Sequence, residues 1–184
     1  MSIEVKIVVL VVVSAGFALL THRSLWSFRS HGPYRLFAFV AFGVLVLLNL
    51  EYWFDEPLVL RQIASWLLLL ASIAVVTYGV ISLRQGRPSS RRKDATLIGI
   101  ERTTVLVTTG AYRCVRHPMY SSLLLGALGA FLKHVTWQSA LMTGITVSFV
   151  VITARTEETE SIQYFGNAYR QYMKQTKMFI PFLL

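Results

Sequence analysis

Five apolar runs constrain this chain more than anything else in it: Val5–Leu20, Leu36–Leu50, Leu58–Leu83, Met119–Leu132 and Val135–Ala154. A helix needs roughly 20 apolar residues to cross the hydrocarbon of a bilayer, fewer where its ends lie among headgroups. The third run is long enough by itself, and the second reaches that length with Tyr34 and Tyr52–Phe54 at its flanks. The fourth is short. Its Lys133-His134 turn leaves no room for a sizeable loop before the fifth, so Met119–Ala154 reads as a tight helical hairpin. With 54% hydrophobic residues in 184 and a mean hydropathy of +0.55, the expected fold is an all-α integral membrane protein. It would have about five transmembrane helices in a single domain.

Charge orients such a chain, because cytoplasmic loops collect Lys and Arg. Fifteen of the 18 basic residues fall in the loop after the first run, in the long 84–118 segment, or in the tail. Only Lys6, Arg61 and Lys133 fall on the other side, beside Glu4, Glu51, Asp55 and Glu56. The long loop and the tail are therefore expected in the cytosol, with the N-terminus outside. The net charge of +9 follows from that topology, which also draws anionic lipid headgroups. No zinc spacing and no aromatic-interleaved basic pattern points to nucleic acid. The single Cys114 excludes an internal disulfide and a cysteine-based metal site. Lys6 followed by an apolar core weakly imitates a signal peptide, but the apolar run continues through Phe17–Leu20 into an Arg-containing sequel, so the segment reads as a retained helix.

The helices are expected at about 4–21, 34–53 and 58–83, forming a scaffold over residues 1–83. Residues 84–184 would carry the cofactor-binding loop, the hairpin and the cytosolic tail. Arg84 to Asp94 reads as a solvated linker, and the β-branched Thr103–Thr109 as extended chain punctuated by Gly110. In the tail, Ile162, Phe165, Ala168, Tyr169 and Tyr172 recur at helical spacing, which makes Glu157–Lys174 an amphipathic helix. Gly166-Asn167 interrupts it, so two shorter helices are also allowed.

Two polar clusters frame the hairpin. The first, Thr104 to Tyr120, ends in His117-Pro118, where the proline suits a first helical turn. The second is Arg155–Glu160, RTEETE. Each has a plain reading: His before Pro as a cap, a Glu pair as a solvated face, tyrosines as belt residues. Jointly they read as a site. Glu157 and Glu158 suit a cationic partner, either Arg155 or a ligand's ammonium. His117 and the nearby arginines offer donors to a carboxylate or phosphate. Tyr112, Tyr120, Tyr169 and Tyr172 offer flat faces to a purine or a cation. S-adenosylmethionine has all of these features; a nucleotide or a phospholipid headgroup has some of them.

The segments TTGAYRCVRHPMY, RTEETE and YFGNAYRQYMKQTKMFIPF resemble the isoprenylcysteine carboxyl methyltransferase family of integral-membrane enzymes. Related phospholipid methyltransferases and small bacterial and archaeal membrane proteins share the pattern. The resemblance covers about residues 97–182. It implies S-adenosyl-L-methionine bound between the hairpin and the C-terminal helix. By position its contacts would be Thr104, Val105, Leu106, Val107, Tyr112, His117, Pro118, Met119, Tyr120 and Glu157. The family's substrate-binding arginine falls on Thr153 in this chain. Arg155 lies two residues on, about 200° around a helix. Either the helix ends early and Arg155 reaches round, or the acceptor differs.

The expected function is therefore methyl transfer to a lipophilic or membrane-embedded acceptor, with Arg155 and Glu158 as catalytic candidates. A carboxylate or thiolate acceptor needs no general base. An amine does, with Glu158 or Tyr169 nearest. The Thr153/Arg155 shift disfavours a prenylcysteine carboxylate relative to a lipid-derived acceptor. The alternative is a non-catalytic membrane module that binds lipid headgroups through the basic loop.

Overall fold

A computed structural model of the chain describes residues 2–25, 30–85 and 106–181, with side chains throughout except at 20–25. Thr104, Val105 and most of the basic 84–105 segment lie outside the described residues. Among the described residues, six α-helices make up the architecture: α1 Ile3–Leu25, α2 Gly32–Asn49, α3 Leu60–Gln85, α4 Pro118–Lys133, α5 Trp137–Phe165 and α6 Asn167–Gln175. The helical class expected from the apolar runs holds. Among the described residues the only strand-like feature is one parallel bridge, Val115 to Lys177. Three helical stretches among the described residues, Gly32–Tyr52, Leu60–Gln85 and Trp137–Phe165, are long and apolar enough to cross a membrane.

Local chemistry sets the helix ends. Both α2 and α4 carry proline in the first turn, where its missing N–H costs nothing. Thr136 caps α5 by accepting from the Ser139 amide at 3.2 Å. That capped start follows α4 closely, as the tight hairpin requires. The polar cluster at 155–160 does not end α5, which continues to Phe165. The helix stops at Gly166, whose φ of 59° and ψ of −131° few residues but glycine adopt. The tail helix expected from Glu157 is thus divided there, its first part belonging to α5. A row of Ser and Thr hydroxyls along α5 is satisfied within the helix. Thr143, Thr146, Thr153 and Thr156 each donate to the carbonyl four residues back, so they add no unpaired polar groups to an apolar surface.

Helix α3 runs antiparallel to α4, and α2 to α5, and polar tethers fix their register. Ser65 Oγ donates to Gly129 O at 2.7 Å and Ser72 Oγ to Ser122 O at 2.7 Å, pairing α3 with α4. Asn49 Oδ1 accepts from Ser139 Oγ at 2.9 Å, pairing the end of α2 with the start of α5. Gly129 permits the α3 approach, since a Cβ there would meet the Leu69 side chain at 2.9 Å. Between α2, α4 and α5 lie Ala38, Leu123, Val150 and Ala154, joined by Phe179 from the tail. Large apolar residues of α1 and α3, such as Val8, Val12, Leu67 and Ile73, face outward, as lipid-facing surfaces do.

One end of the bundle is closed by Lys133, which is 0% exposed. Its ammonium donates to Gln62 Oε1 at 3.0 Å and Trp53 O at 3.2 Å. It also sits 3.6 Å from the Trp66 ring centroid, a cation–π contact that helps replace lost hydration. Arg61 donates to the carbonyls of Leu132 and Lys133. The opposite end, where α2 and α4 begin and α5 finishes, is where the polar clusters meet.

Candidate functional site

Two parallel helices, α2 and α4, deliver a histidine each to the same stretch of α5. Each histidine stands immediately before its helix, with proline in the following turn. His117 Nε2 lies 3.4 Å from Glu158 Oε1. His31 Nδ1 lies 2.7 Å from Glu160 Oε2, and the His31 amide donates to Glu160 Oε1 at 3.0 Å. Glu157 lies between them. Its Oε2 accepts from the Tyr120 hydroxyl at 2.7 Å, and it stands within electrostatic reach of His117, His31 and Arg35.

Arg116 closes the site from the loop side. Its Nε donates to Glu158 Oε1 at 2.6 Å, and its Nη1 donates to the carbonyls of Met173 and Thr176. One guanidinium thereby ties α5 to the end of α6. The tail then returns along the loop: the Arg116 amide donates to Lys177 O at 2.8 Å and the His117 amide to Met178 O at 3.1 Å. Ser121 Oγ donates to Phe179 O at 2.7 Å, which seats Phe179 against the His117 ring, 6.2 Å between centroids. Phe179 of the tail therefore packs back onto the protein. Tyr120 also stacks on His117, with ring centroids 5.4 Å apart.

The aromatic residues of α6 divide by role. Tyr172 donates to Tyr112 O at 2.6 Å and packs edge-on to Tyr169 at 5.8 Å. Burial, with the negative charges of Glu158 and Glu157, pushes the Tyr169 hydroxyl well above the ordinary phenol range. Burial does the same to Tyr172. Neither is a base near neutral pH. Beside them a cleft of about 460 Å³ opens, lined by Thr108, Thr109, Gly110, Arg113, Tyr172 and Gln175 among others. Gly110 shapes its wall at φ 62°, where a Cβ would collide with the Ser82 hydroxyl; that hydroxyl accepts from the Ala111 amide at 3.0 Å.

The structure thus joins His117, Tyr120, Glu157 and Glu158 in one cluster, as the two framing segments suggested. Pro118 and Met119 form the first turn of α4 beneath it, while Leu106 and Val107 lie in irregular chain leading toward it. Arg155 is not part of the cluster. Because α5 continues unbroken, Arg155 stays on the face away from Glu157 and is exposed, and Thr153 is buried with its hydroxyl on Phe149 O. The second helix also reaches the cluster, through His31 and Arg35. Reading the sequence placed Glu160 in the second polar cluster without a role and missed His31 and Arg35, although His31-Gly32-Pro33 repeats the histidine-before-proline arrangement of His117-Pro118. Arg35 is 2% exposed, one turn along α2 from His31.

A buried charged cluster at one end of apolar helices defines a helical membrane protein with a polar site at its mouth. The chain belongs to the phospholipid methyltransferase family, which matches residues 60–168, more than half of it. Three relatives show the breadth of the similarity. The protein-S-isoprenylcysteine O-methyltransferase of Schizosaccharomyces pombe is 34% identical over 80 residues, 43% of this chain and 34% of the relative. Methanethiol S-methyltransferase 1 of Bradyrhizobium diazoefficiens is 26% identical over 179 residues, covering 85% and 58%. The methanethiol S-methyltransferase of Crocosphaera subtropica is 26% identical over 127 residues, covering 65% and 44%. The chain thus spans between a third and three-fifths of the length of these relatives. They are methyltransferases whose named acceptors differ in the atom methylated.

Proposed function

We propose that this protein is an integral-membrane methyltransferase that uses S-adenosylmethionine to methylate a lipophilic acceptor. The observation that carries this reading is the convergence of His117 and Tyr120 with Glu157 and Glu158 at one mouth of the bundle. The residues present fit the donor. Glu157 offers a carboxylate to its ammonium, and the buried His117 Nε2, which lacks a well-aligned hydrogen bond, offers a donor to its carboxylate. The cleft at Thr108–Gly110 and Tyr172 has the size and polarity for a nucleoside, and Leu106, Val107 and Tyr112 lie on the same loop. Thr104 and Val105 complete the proposed contact set.

S-adenosylmethionine supplies an electrophilic methyl group, so the protein's task is alignment and exclusion of water. Glu158 is engaged by Arg116 and serves to hold the mouth together. Arg155 is turned away, and Arg35 on α2 supplies the buried cation at the level of Glu157. An apolar groove of about 330 Å³ between α1 and α2, lined in part by Phe17, Leu36 and Phe39, gives the acceptor's apolar part a place within a turn of Arg35. With α1 and α4 counted, the chain crosses the membrane five times, the site facing the cytosol and its supply of donor.

Titration calorimetry with S-adenosylhomocysteine in detergent tests the reading, which expects saturable binding. A non-catalytic module that binds headgroups through the basic loop gives no heat. Labelled donor with a lipid extract and with a farnesylated cysteine analogue then sorts acceptors. Label entering lipid is expected, and esterification of the analogue alone would overturn that preference.

A further inference from the structure

His31 has a feature that holding a helix start does not require. Its Nδ1 is 2.7 Å from Glu160 Oε2, and a carboxylate at that distance fixes the tautomer with the proton on Nδ1. The lone pair is then on Nε2. That nitrogen is buried, in a side chain 0% exposed, and has no hydrogen-bond partner among the described residues. A buried polar atom without a partner costs stability unless something else uses it. The charged groups around the ring are Glu160 and Glu157 on α5 and Arg35 on α2, with His117 beyond Glu157. This is a carboxylate-oriented imidazole beside the cluster where methyl transfer is proposed. The two base candidates the sequence offers are both unsuited, Glu158 by its Arg116 pair and Tyr169 by its burial.

We propose that His31, oriented by Glu160, accepts the proton released when a thiol or an amine is methylated at this site. This rests on the methyltransferase reading above. The acceptor's sulfur or nitrogen forms the new bond to the methyl carbon. The sulfonium–methyl bond of the donor breaks, and its electron pair returns to the donor sulfur. The acceptor's proton passes to His31 Nε2, leaving an imidazolium hydrogen-bonded to the Glu160 carboxylate. The charge balances, and a carboxylate acceptor would have no use for such a group.

The test uses the full chain in detergent with 1-dodecanethiol and phosphatidylethanolamine as acceptors and a farnesylated cysteine analogue as the carboxylate control. His31→Gln should lower turnover of the thiol or amine by about a hundredfold or more, with S-adenosylhomocysteine affinity unchanged. Glu160→Gln should move the acidic limb of the rate profile to lower pH, because the carboxylate that strengthens the base is gone. The His31 imidazole resonance, followed by NMR without donor, should shift its titration the same way.

Wild-type turnover in His31→Gln would overturn the proposal. So would loss of S-adenosylhomocysteine binding in that variant, which would make His31 a donor ligand, and so would a wild-type protein that methylates only the carboxylate control. Should His31→Gln fail to fold, an unmoved acidic limb and resonance in Glu160→Gln overturn it equally. A wild-type chain that binds no S-adenosylhomocysteine sinks the methyltransferase reading itself.

Discussion

At the scale of single residues, the proposed site sets charged groups against one another at a partly buried end of the bundle. His117 and Glu157 stand at its centre, and each is proposed to hydrogen-bond one charged group of the donor. Losing a charged hydrogen bond costs roughly 1.5–3 kcal/mol, equivalent to about a ten- to hundredfold weaker Kd. His117→Ala and Glu157→Ala should each weaken S-adenosylhomocysteine binding by that much while leaving the protein folded. Wild-type affinity in both would remove them from the donor site. His31 offers a separate test through pH. Burial alone would depress its pKa, but the Glu160 hydrogen bond and the Glu157 charge outweigh burial and the opposing Arg35, so His31 titrates above 6.5. A group with a raised folded-state pKa stabilises the fold fully below its unfolded value, about 6.5, and loses that contribution as pH rises through the folded value. The thermal midpoint should therefore fall as pH climbs from below 6.5 toward the alkaline side, and Glu160→Gln should flatten that slope. A midpoint equally pH-dependent in the variant would contradict the assignment.

At the scale of elements, the decisive feature is that α5 does not stop at the polar segment 155–160. Its continuation to Phe165 presents Glu157, Glu158 and Glu160 from one rigid helix to α4, the loop and α2 respectively. Gly166 then lets the chain change direction, so that α6 can bring Met173 and Thr176 to Arg116. Nothing stands within 4 Å of a Cβ built at Gly166, so substitution there acts through the backbone alone. Gly166→Ala should cost roughly 1–2 kcal/mol or more for forcing an L-residue to positive φ. The lowered thermal midpoint should be accompanied by weaker S-adenosylhomocysteine binding, because the junction positions α6. An unchanged midpoint would show that α5 and α6 can meet at another angle.

At the scale of the whole molecule, the two ends of the bundle are built differently. One is closed by Lys133, Gln62 and the tryptophans around them; the other gathers the ionisable groups of the site and the exposed Cys114. The proposed orientation puts the site end in the cytosol. As the chain's single cysteine, Cys114 reports on this directly. A membrane-impermeant maleimide should label it in inside-out vesicles and leave it unlabelled in right-side-out ones. The reverse pattern would invert the topology.

What the sequence determined by itself was the material of the fold. Long apolar runs dictate helices, the proline at 118 sets a helix start, and the polar segments around the hairpin mark where a site belongs. The pairing of His117 and Tyr120 with Glu157 and Glu158 followed from those segments flanking one hairpin. Tertiary structure alone decided which charges meet. Whether Arg155 could reach the site depended on whether α5 continued, and local propensity at RTEETE leaves that open. His31 and Arg35 joined the site because α2 packs antiparallel on α5 in a register that sets position 31 against 160. Such a register comes from side-chain packing over many residues far apart in the chain, among them Ala38, Val150 and Ala154, and no local pattern in the sequence carries it.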